Sequence, residues 1–174
     1  MPVSINTSNI VLRIFLWLML LVYLAVLAKL ILFKQSPGFI KRHFLHHYSW
    51  QQAKANMHKA NLKPFTTIKL YMNTRGNPEY ASHNLWGNTL GFIPMGFLLP
   101  LLFIRLRTAL RTIFAVFVFS LGFEAFQLLG MLGIFDVDDL ILNTLGGMIG
   151  YILFWLLSKM VRLENDKTHF IPIQ

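Results

Sequence analysis

The chain has 174 residues, of which 55% are hydrophobic and 13% are charged, and it carries a formal net charge of +9. Because soluble domains are only about 45–50% apolar, this composition argues against an ordinary soluble protein and favours a single membrane domain. The absence of cysteine excludes disulfides, thiolate metal sites and a cysteine nucleophile.

Four apolar runs are long enough to cross a bilayer, since a span needs about 20 apolar residues. They are predicted at residues 10–33, 84–104, 112–132 and 139–158, with a polar tail at 159–174. A signal peptide is the competing interpretation of the first run, because Val26-x-Ala28 is a weak cleavage pattern, but no basic region precedes Ile10. The sequence therefore predicts an all-α membrane protein with four transmembrane helices.

The connection between the first two spans, residues 34–83, is long and basic. Its first half mixes aromatic residues with lysine and histidine, which is typical of an amphipathic helix lying in the membrane interface. His43, His46 and His47 have a spacing that could bind a metal, but no carboxylate lies near them in sequence. The interfacial interpretation is therefore favoured.

The second half of this connection predicts a change of structure. Pro64 ends any helix before it, and the β-branched residues 66–68 favour extended backbone. Residues 73–78 contain Gly76 and Pro78 and are predicted to form a turn.

The second span contains no charge but several residues with structural consequences. Asn84 and Asn88 are four residues apart and share a helix face. Gly87 and Gly91 have the same spacing, which would let another helix approach closely. Pro94 predicts a kink that neighbouring groups must compensate.

Polar groups reappear where the third and fourth spans meet. Glu124 and Gln127 lie three residues apart on one helix face, and an acidic turn follows with Asp136, Asp138 and Asp139. Asn143 lies four residues after Asp139, and Gly146, Gly147 and Gly150 continue near the same helix face. Helix-to-helix hydrogen bonding is one interpretation of the amides, and close helix packing is the favoured interpretation of the glycines.

The carboxylates allow different interpretations. Asp136 and Asp138 can be solvated turn residues, with Asp138 or Asp139 capping the fourth helix. Glu124 is different, since a carboxylate inside a membrane must be paired, protonated or in contact with water. We therefore expect Glu124 to serve function directly.

Four spans place both termini on one side of the membrane, together with the short loop that carries Arg105, Arg107 and Arg111. The positive-inside rule makes that side cytoplasmic, although the basic connection would then lie outside. The basic residues flank apolar runs, which favours anionic lipid headgroups over nucleic acid as their partner. In either orientation the polar residues converge on the opposite face, where Asn61 and Pro64 also lie.

At these positions the sequence resembles the VanZ-like family, named for a bacterial protein associated with teicoplanin resistance. The resemblance rests on Asn61-Leu62-x-Pro64-Phe65-x-Thr67-Ile68, Asn88-x3-Phe92-x-Pro94-x-Gly96, Glu124-x2-Gln127 and Asp136-x2-Asp139-x3-Asn143-x2-Gly146-x3-Gly150. It implies a bacterial cell-membrane protein of four helices, without supplying a reaction. Residues 133–135 depart from the family pattern because they lack an arginine, which leaves Glu124 to a distant partner, a water or a proton.

Our first hypothesis is a non-enzymatic protein that engages the headgroup or glycan of an envelope lipid, or a lipoglycopeptide drug that targets it. The predicted ligand-binding residues are Asn84, Asn88, Glu124, Gln127, Asp136, Asp139 and Asn143, with Asn61, Pro64 and Thr67 as a loop motif. The alternative is an intramembrane enzyme acting on a lipid-linked envelope precursor, with Glu124 as acid–base residue and Asp136 and Asp139 binding a cation. A small transporter or helper subunit is a third possibility. No cofactor and no resident metal are predicted, and the oligomeric state is left open.

Overall fold

The computed structural model describes residues 10–32, 49–73 and 78–168, without the side chains of 52, 53, 71, 73, 78–84 and 162–168. Six helices are present in these ranges: α1 (Ile10–Leu32), α2 (Trp50–Met57), α3 (Thr66–Asn73), α4 (Pro78–Leu102), α5 (Ala109–Leu129) and α6 (Val137–Thr168). A single 3-10 turn, Ile104–Leu106, links α4 to α5. The described ranges contain no strand.

Four helices are long and apolar enough to cross a membrane, which confirms the predicted fold class. The apolar parts of these helices are Ile10–Ile31, Leu85–Leu102, Ala109–Leu129 and Val137–Val161. α4 and α6 extend beyond their apolar parts, at the start and at the end respectively.

The centre of the fold is the close contact between α4 and α6. A Cβ atom added to Gly146 would lie 2.0 Å from the Thr89 carbonyl oxygen, and one added to Gly150 would lie 2.0 Å from the Ile93 carbonyl oxygen. Only a helix without side chains on this stripe allows the backbones to come so near. The packing role predicted for Gly146 and Gly150 is thereby confirmed.

The glycines of α4 behave differently from one another. A Cβ atom at Gly87 would meet nothing within 4 Å, so Gly87 does not serve the close approach predicted for it. Gly91 faces α1, where its carbonyl accepts a hydrogen bond from the Tyr23 hydroxyl at 2.7 Å. The neighbouring carbonyl, that of Leu90, lacks its usual helical donor because Pro94 has no backbone N–H.

α1 and α5 pack against this pair and against each other, and two apolar clusters fill the contacts. One cluster comprises Leu16, Leu20, Leu98, Leu101 and Phe154. The other comprises Leu27, Phe92, Met95, Leu99 and Val116. The outward faces of the four spans keep large apolar side chains exposed, as expected of helices in contact with lipid.

Two local expectations for the connection have different outcomes. Extended backbone at Thr66, Thr67 and Ile68 is wrong, because these residues begin the helix α3. The predicted interfacial helix is described only where it overlaps α2, and His43, His46 and His47 lie outside the described residues. The turn predicted at 73–78 lies mostly outside them as well.

The short arginine loop is more ordered than a solvated linker. Arg107 is only 9% exposed, and its Nε donates to the Pro100 carbonyl at 3.4 Å. Nη1 of Arg111 donates to the Arg105 carbonyl at 3.2 Å. The loop therefore closes the end of α4 and begins α5 in one compact turn.

Candidate functional site

The residues that join α2 to α3 dock on the acidic turn before α6. We call residues 58–68 the docking loop. Asn61 forms a parallel bridge with Asp136, in which the Asn61 amide donates to the Phe135 carbonyl at 2.8 Å and the Val137 amide donates to the Asn61 carbonyl at 3.0 Å. α2 adds one bond to the same turn, from Asn56 Nδ2 to the Gly133 carbonyl.

Asp136 binds the docking loop and also caps α6. Its Oδ1 accepts bonds from Asn61 Nδ2 at 2.9 Å and from the Asp138 amide at 2.8 Å. Its Oδ2 accepts from the Thr67 hydroxyl at 2.5 Å. The bond to the Asp138 amide satisfies one of the unpaired donors in the first turn of α6. The expectation that Asp138 or Asp139 caps this helix is therefore wrong, since Asp136 does so.

Asp138 points away from its own helix and caps α3 instead. It is fully buried, at 0% exposure, so it is not a solvated turn residue. Its Oδ1 accepts from the Phe65 amide at 2.5 Å, and its Oδ2 accepts from the amides of Thr67 at 2.7 Å and Ile68 at 3.1 Å. A negative charge at the N-terminus of a helix satisfies these amides and complements the helix dipole. This contact explains why residues 66–68 are helical despite their β-branched side chains.

Glu124 lies beneath the acidic turn and is turned inward. It is 2% exposed, and its Oε2 accepts a hydrogen bond from the Asp136 amide at 3.1 Å. The backbone of the adjacent turn, which the sequence did not identify as a partner, thus approaches the carboxylate directly. Glu124 thus supports the turn on which the docking loop is held.

The amides of the third and fourth spans mainly join helices. Gln127 Nε2 donates to the Ile31 carbonyl at 2.8 Å, which ties α5 to the end of α1. Asn143 Nδ2 donates to the Ser120 hydroxyl at 2.8 Å, while its Oδ1 is buried without a partner. Ser120 was missed from the sequence. Its position four residues before Glu124, on the same face of α5, is the signal that identifies it.

Asn88 and Asp139 form a polar contact between α4 and α6. Asn88 Nδ2 donates to Asp139 Oδ1 at 2.5 Å, linking α4 to α6, and both side chains are half-buried. Pro64 is exposed on the docking loop and makes none of these contacts. The side chain of Asn84 lies outside the described residues.

The arrangement brings the predicted motifs together at one end of the helix bundle. The sequence profile of the VanZ/LLP1 family matches residues 20–158, a range that contains every one of these motifs. The chain belongs to the VanZ/LLP1 family. It is 32% identical over 141 residues to Protein VanZ from Enterococcus faecium, covering 81% of this chain and 74% of that protein. No solved structure matches the chain.

An apolar groove of 430 Å³ begins beside this VanZ/LLP1 motif cluster and runs between α5 and α6. It is lined by Ile113, Phe117, Val137, Leu140, Ile141, Thr144, Leu145 and Met148. The Thr144 hydroxyl is satisfied by the Leu140 carbonyl at 2.6 Å, so it adds no unpaired polar group to the groove. The groove is therefore suited to a purely apolar occupant.

Proposed function

We propose that this VanZ-family membrane protein lowers susceptibility to teicoplanin-type lipoglycopeptides without catalysing a reaction. It does so by engaging an envelope lipid, a glycan or the drug itself at the polar end of the bundle. Family membership and the relation to Protein VanZ support the link to resistance. The hydrogen bonds of the acidic residues support the location of the binding site. They also favour binding over catalysis, because two of the three aspartates are already bonded within the protein.

The single observation that carries the proposal is the different environment of the three aspartates. Asp136 and Asp138 accept six hydrogen bonds between them within the protein, which commits them to the docking loop and to helix capping. Asp139 is half-buried and is joined across the helix interface to Asn88. Asn88 and Asp139 are the half-buried pair that, in this proposal, meets the polar group of the ligand.

The apolar groove gives the same ligand a place for its acyl chain. From Val137 to Met148 the wall of α6 rises about 17 Å, at 1.5 Å for each residue. This matches one leaflet, since the hydrocarbon core of a bilayer is about 30 Å thick. A ligand with a polar core and an acyl tail would place the core near Asp139 and the tail between α5 and α6.

We place the polar end outside the cell and both termini in the cytoplasm. The arginine loop and the end of α6 lie at the opposite end of the bundle, with Arg105, Arg107 and Arg111 close to the membrane surface. Short basic loops are the ones that set orientation by the positive-inside rule. An extracellular polar end is also the end that a drug added from outside would reach.

Asp139→Asn tests the proposal because it removes the charge while preserving volume and the contact with Asn88. We expect cells producing this variant to lose teicoplanin protection, with the variant reaching the membrane at the wild-type level. Arg105→Gln is the control, since it removes one exposed charge at the opposite end of the bundle, away from the proposed site. It should keep protection. Full protection in Asp139→Asn would contradict the proposed site.

The groove is tested by filling it. Ile141→Trp should reduce protection against an acylated glycopeptide, because the indole occupies the space proposed for the acyl chain. A glycopeptide without an acyl chain serves as the comparison drug in the same cells. Equal loss of protection against both drugs would show that the groove does not distinguish acyl chains.

The enzyme alternative has less support from the geometry. Asp136, which it assigns to a cation, already accepts three hydrogen bonds. Within residues 10–32, 49–73 and 78–168, no three His, Cys, Asp or Glu side chains are grouped to hold a metal ion. Turnover of a labelled lipid-linked precursor by purified protein, lost in Glu124→Ala, would nevertheless establish catalysis and overturn the proposal.

A further inference from the structure

A polar cavity lies at the other end of the helix bundle, far from the acidic turn. It has a volume of 170 Å³ and is lined by Arg13, Leu16, Leu101, Leu102, Ile104 and Arg107. Arg13 is near the beginning of α1, whereas Arg107 lies in the link between α4 and α5. Two guanidinium groups, one from α1 and one from the link between α4 and α5, therefore line one space at the level of the membrane surface.

Arg107 is held in place from two directions. Its Nε donates to the Pro100 carbonyl in the last turn of α4, and its own carbonyl accepts from the Tyr151 hydroxyl of α6 at 3.2 Å. The side chain is buried, while the neighbouring Ile104 and Leu110 are exposed. A guanidinium positioned in advance loses little freedom when it binds a ligand.

The charge around the cavity is positive. Arg105 and Arg111 flank Arg107 in the same loop, and Lys159 lies over the Trp155 ring towards the same end of α6. Every acidic side chain that the structure describes lies at the opposite end of the bundle, with Glu124 and the acidic turn. Glu164 and Asp166 follow in α6, but their side chains are outside the described residues. An anion is therefore the ligand that this surface favours.

The size and lining of the cavity narrow the choice of anion. Its volume equals that of about five or six waters at ~30 Å³ each, which is enough for a phosphodiester group. Arginine binds phosphate oxygens through paired N–H donors in a fixed plane. The four apolar residues of the lining are suited to the glycerol and the first methylenes of a lipid. Basic pockets between transmembrane helices are known to bind anionic headgroups.

We propose that the Arg13–Arg107 cavity binds the phosphate group of an anionic phospholipid in the leaflet opposite the acidic turn. The competing role for Arg107 is structural, because a cation at the end of α4 also complements the helix dipole. Arg13 separates the two roles. It is exposed near the beginning of α1 and can be changed without disturbing the end of α4.

Native mass spectrometry of the full chain in detergent tests this site with phosphatidylglycerol as the probe and phosphatidylcholine as the neutral comparison. We expect Arg13→Gln to weaken phosphatidylglycerol binding at least tenfold, with little effect on phosphatidylcholine. Arg107→Gln should weaken it similarly if the variant folds. Arg105→Gln is the matched control, because it removes the same charge from the same loop outside the cavity, and it should change binding less than twofold.

Three outcomes would overturn the proposal. Equal losses in Arg13→Gln and Arg105→Gln would indicate general surface charge. Equal binding of the two lipids by the unchanged protein would exclude recognition of an anion. Displacement of phosphatidylglycerol by millimolar inorganic phosphate, with no need for acyl chains, would assign the cavity to a free anion. None of these results depends on teicoplanin protection, so the function proposed above is tested separately.

Discussion

Asp138→Asn should release the docking loop without unfolding the four spans. Asn preserves the size of the side chain but offers one acceptor oxygen in place of two. If it keeps the bonds to Thr67 and Ile68, the bond to Phe65 is lost. Losing one bond to a charged acceptor costs about 1.5–3 kcal/mol, and replacing two others with neutral bonds costs about 1 kcal/mol each.

The expected loss of docking free energy is therefore about 3.5–5 kcal/mol, which corresponds to an increase in local opening of ~300-fold or more, since 1.4 kcal/mol is tenfold. Hydrogen–deuterium exchange with peptides covering the docking loop measures this directly, because amides exchange when the segment opens. Trypsin cleavage after the exposed Lys59 and Lys69 provides an independent measurement. Both should increase, while peptides from α4 and α6 remain protected.

Asp139→Asn is the control for this experiment. It changes the next residue of the same helix, whose side chain accepts a hydrogen bond from Asn88 of α4. Exchange in the docking loop should therefore remain at the wild-type level. If Asp138→Asn leaves exchange unchanged, or if Asp139→Asn raises it equally, the capping role assigned to Asp138 is refuted.

Three further predictions concern stability, each measured by reversible unfolding in mixed micelles. Gly146→Ala should destabilise the bundle by about 3 kcal/mol or more, because its Cβ would strike the Thr89 carbonyl. Gly122→Ala is the control: its Cβ meets nothing within 4 Å, so it should stabilise the bundle by up to about 1 kcal/mol. Similar changes in stability for the two variants would contradict the close packing of α4 and α6. Met131→Gly should stabilise by about 1 kcal/mol, because Met131 has a φ of 52° where glycine is unstrained; a loss of stability would refute this. Tyr23→Phe should cost about 1 kcal/mol by removing the bond to Gly91, and no change would show that this bond contributes nothing.

The spans and their packing could be predicted from the sequence because they depend on local properties. Apolar length identifies the four helices, and the four-residue spacing of Gly146 and Gly150 identifies the contact face. The face on which polar residues gather follows from counting spans. Three contacts at that face agree with this expectation. Asn88 contacts Asp139, Glu124 contacts the acidic turn, and Asn61 contacts Asp136.

The roles of individual carboxylates could not be predicted in this way. Asp138 is separated by about 70 residues from the amides that it binds, and no spacing rule relates the two segments. The same long-range contact overrides the β-branched preference of Thr66, Thr67 and Ile68, whose helix depends on an acceptor supplied from elsewhere in the chain. The partner of Glu124 was missed for a related reason, because a backbone amide leaves no trace in the pattern of side chains.

These contacts change what a loss-of-function variant can reveal. Glu124 accepts from the Asp136 amide, Asp136 binds Asn61 and Thr67, and Asp138 caps the helix that begins at Thr66. Variants of any of these carboxylates would displace the docking loop, and protection could then disappear without any of them touching a ligand. Asp139 is bonded to Asn88 of α4 instead. A variant that abolishes protection while exchange in the docking loop stays unchanged identifies a binding residue, and Asp139→Asn is the variant that we expect to meet this requirement.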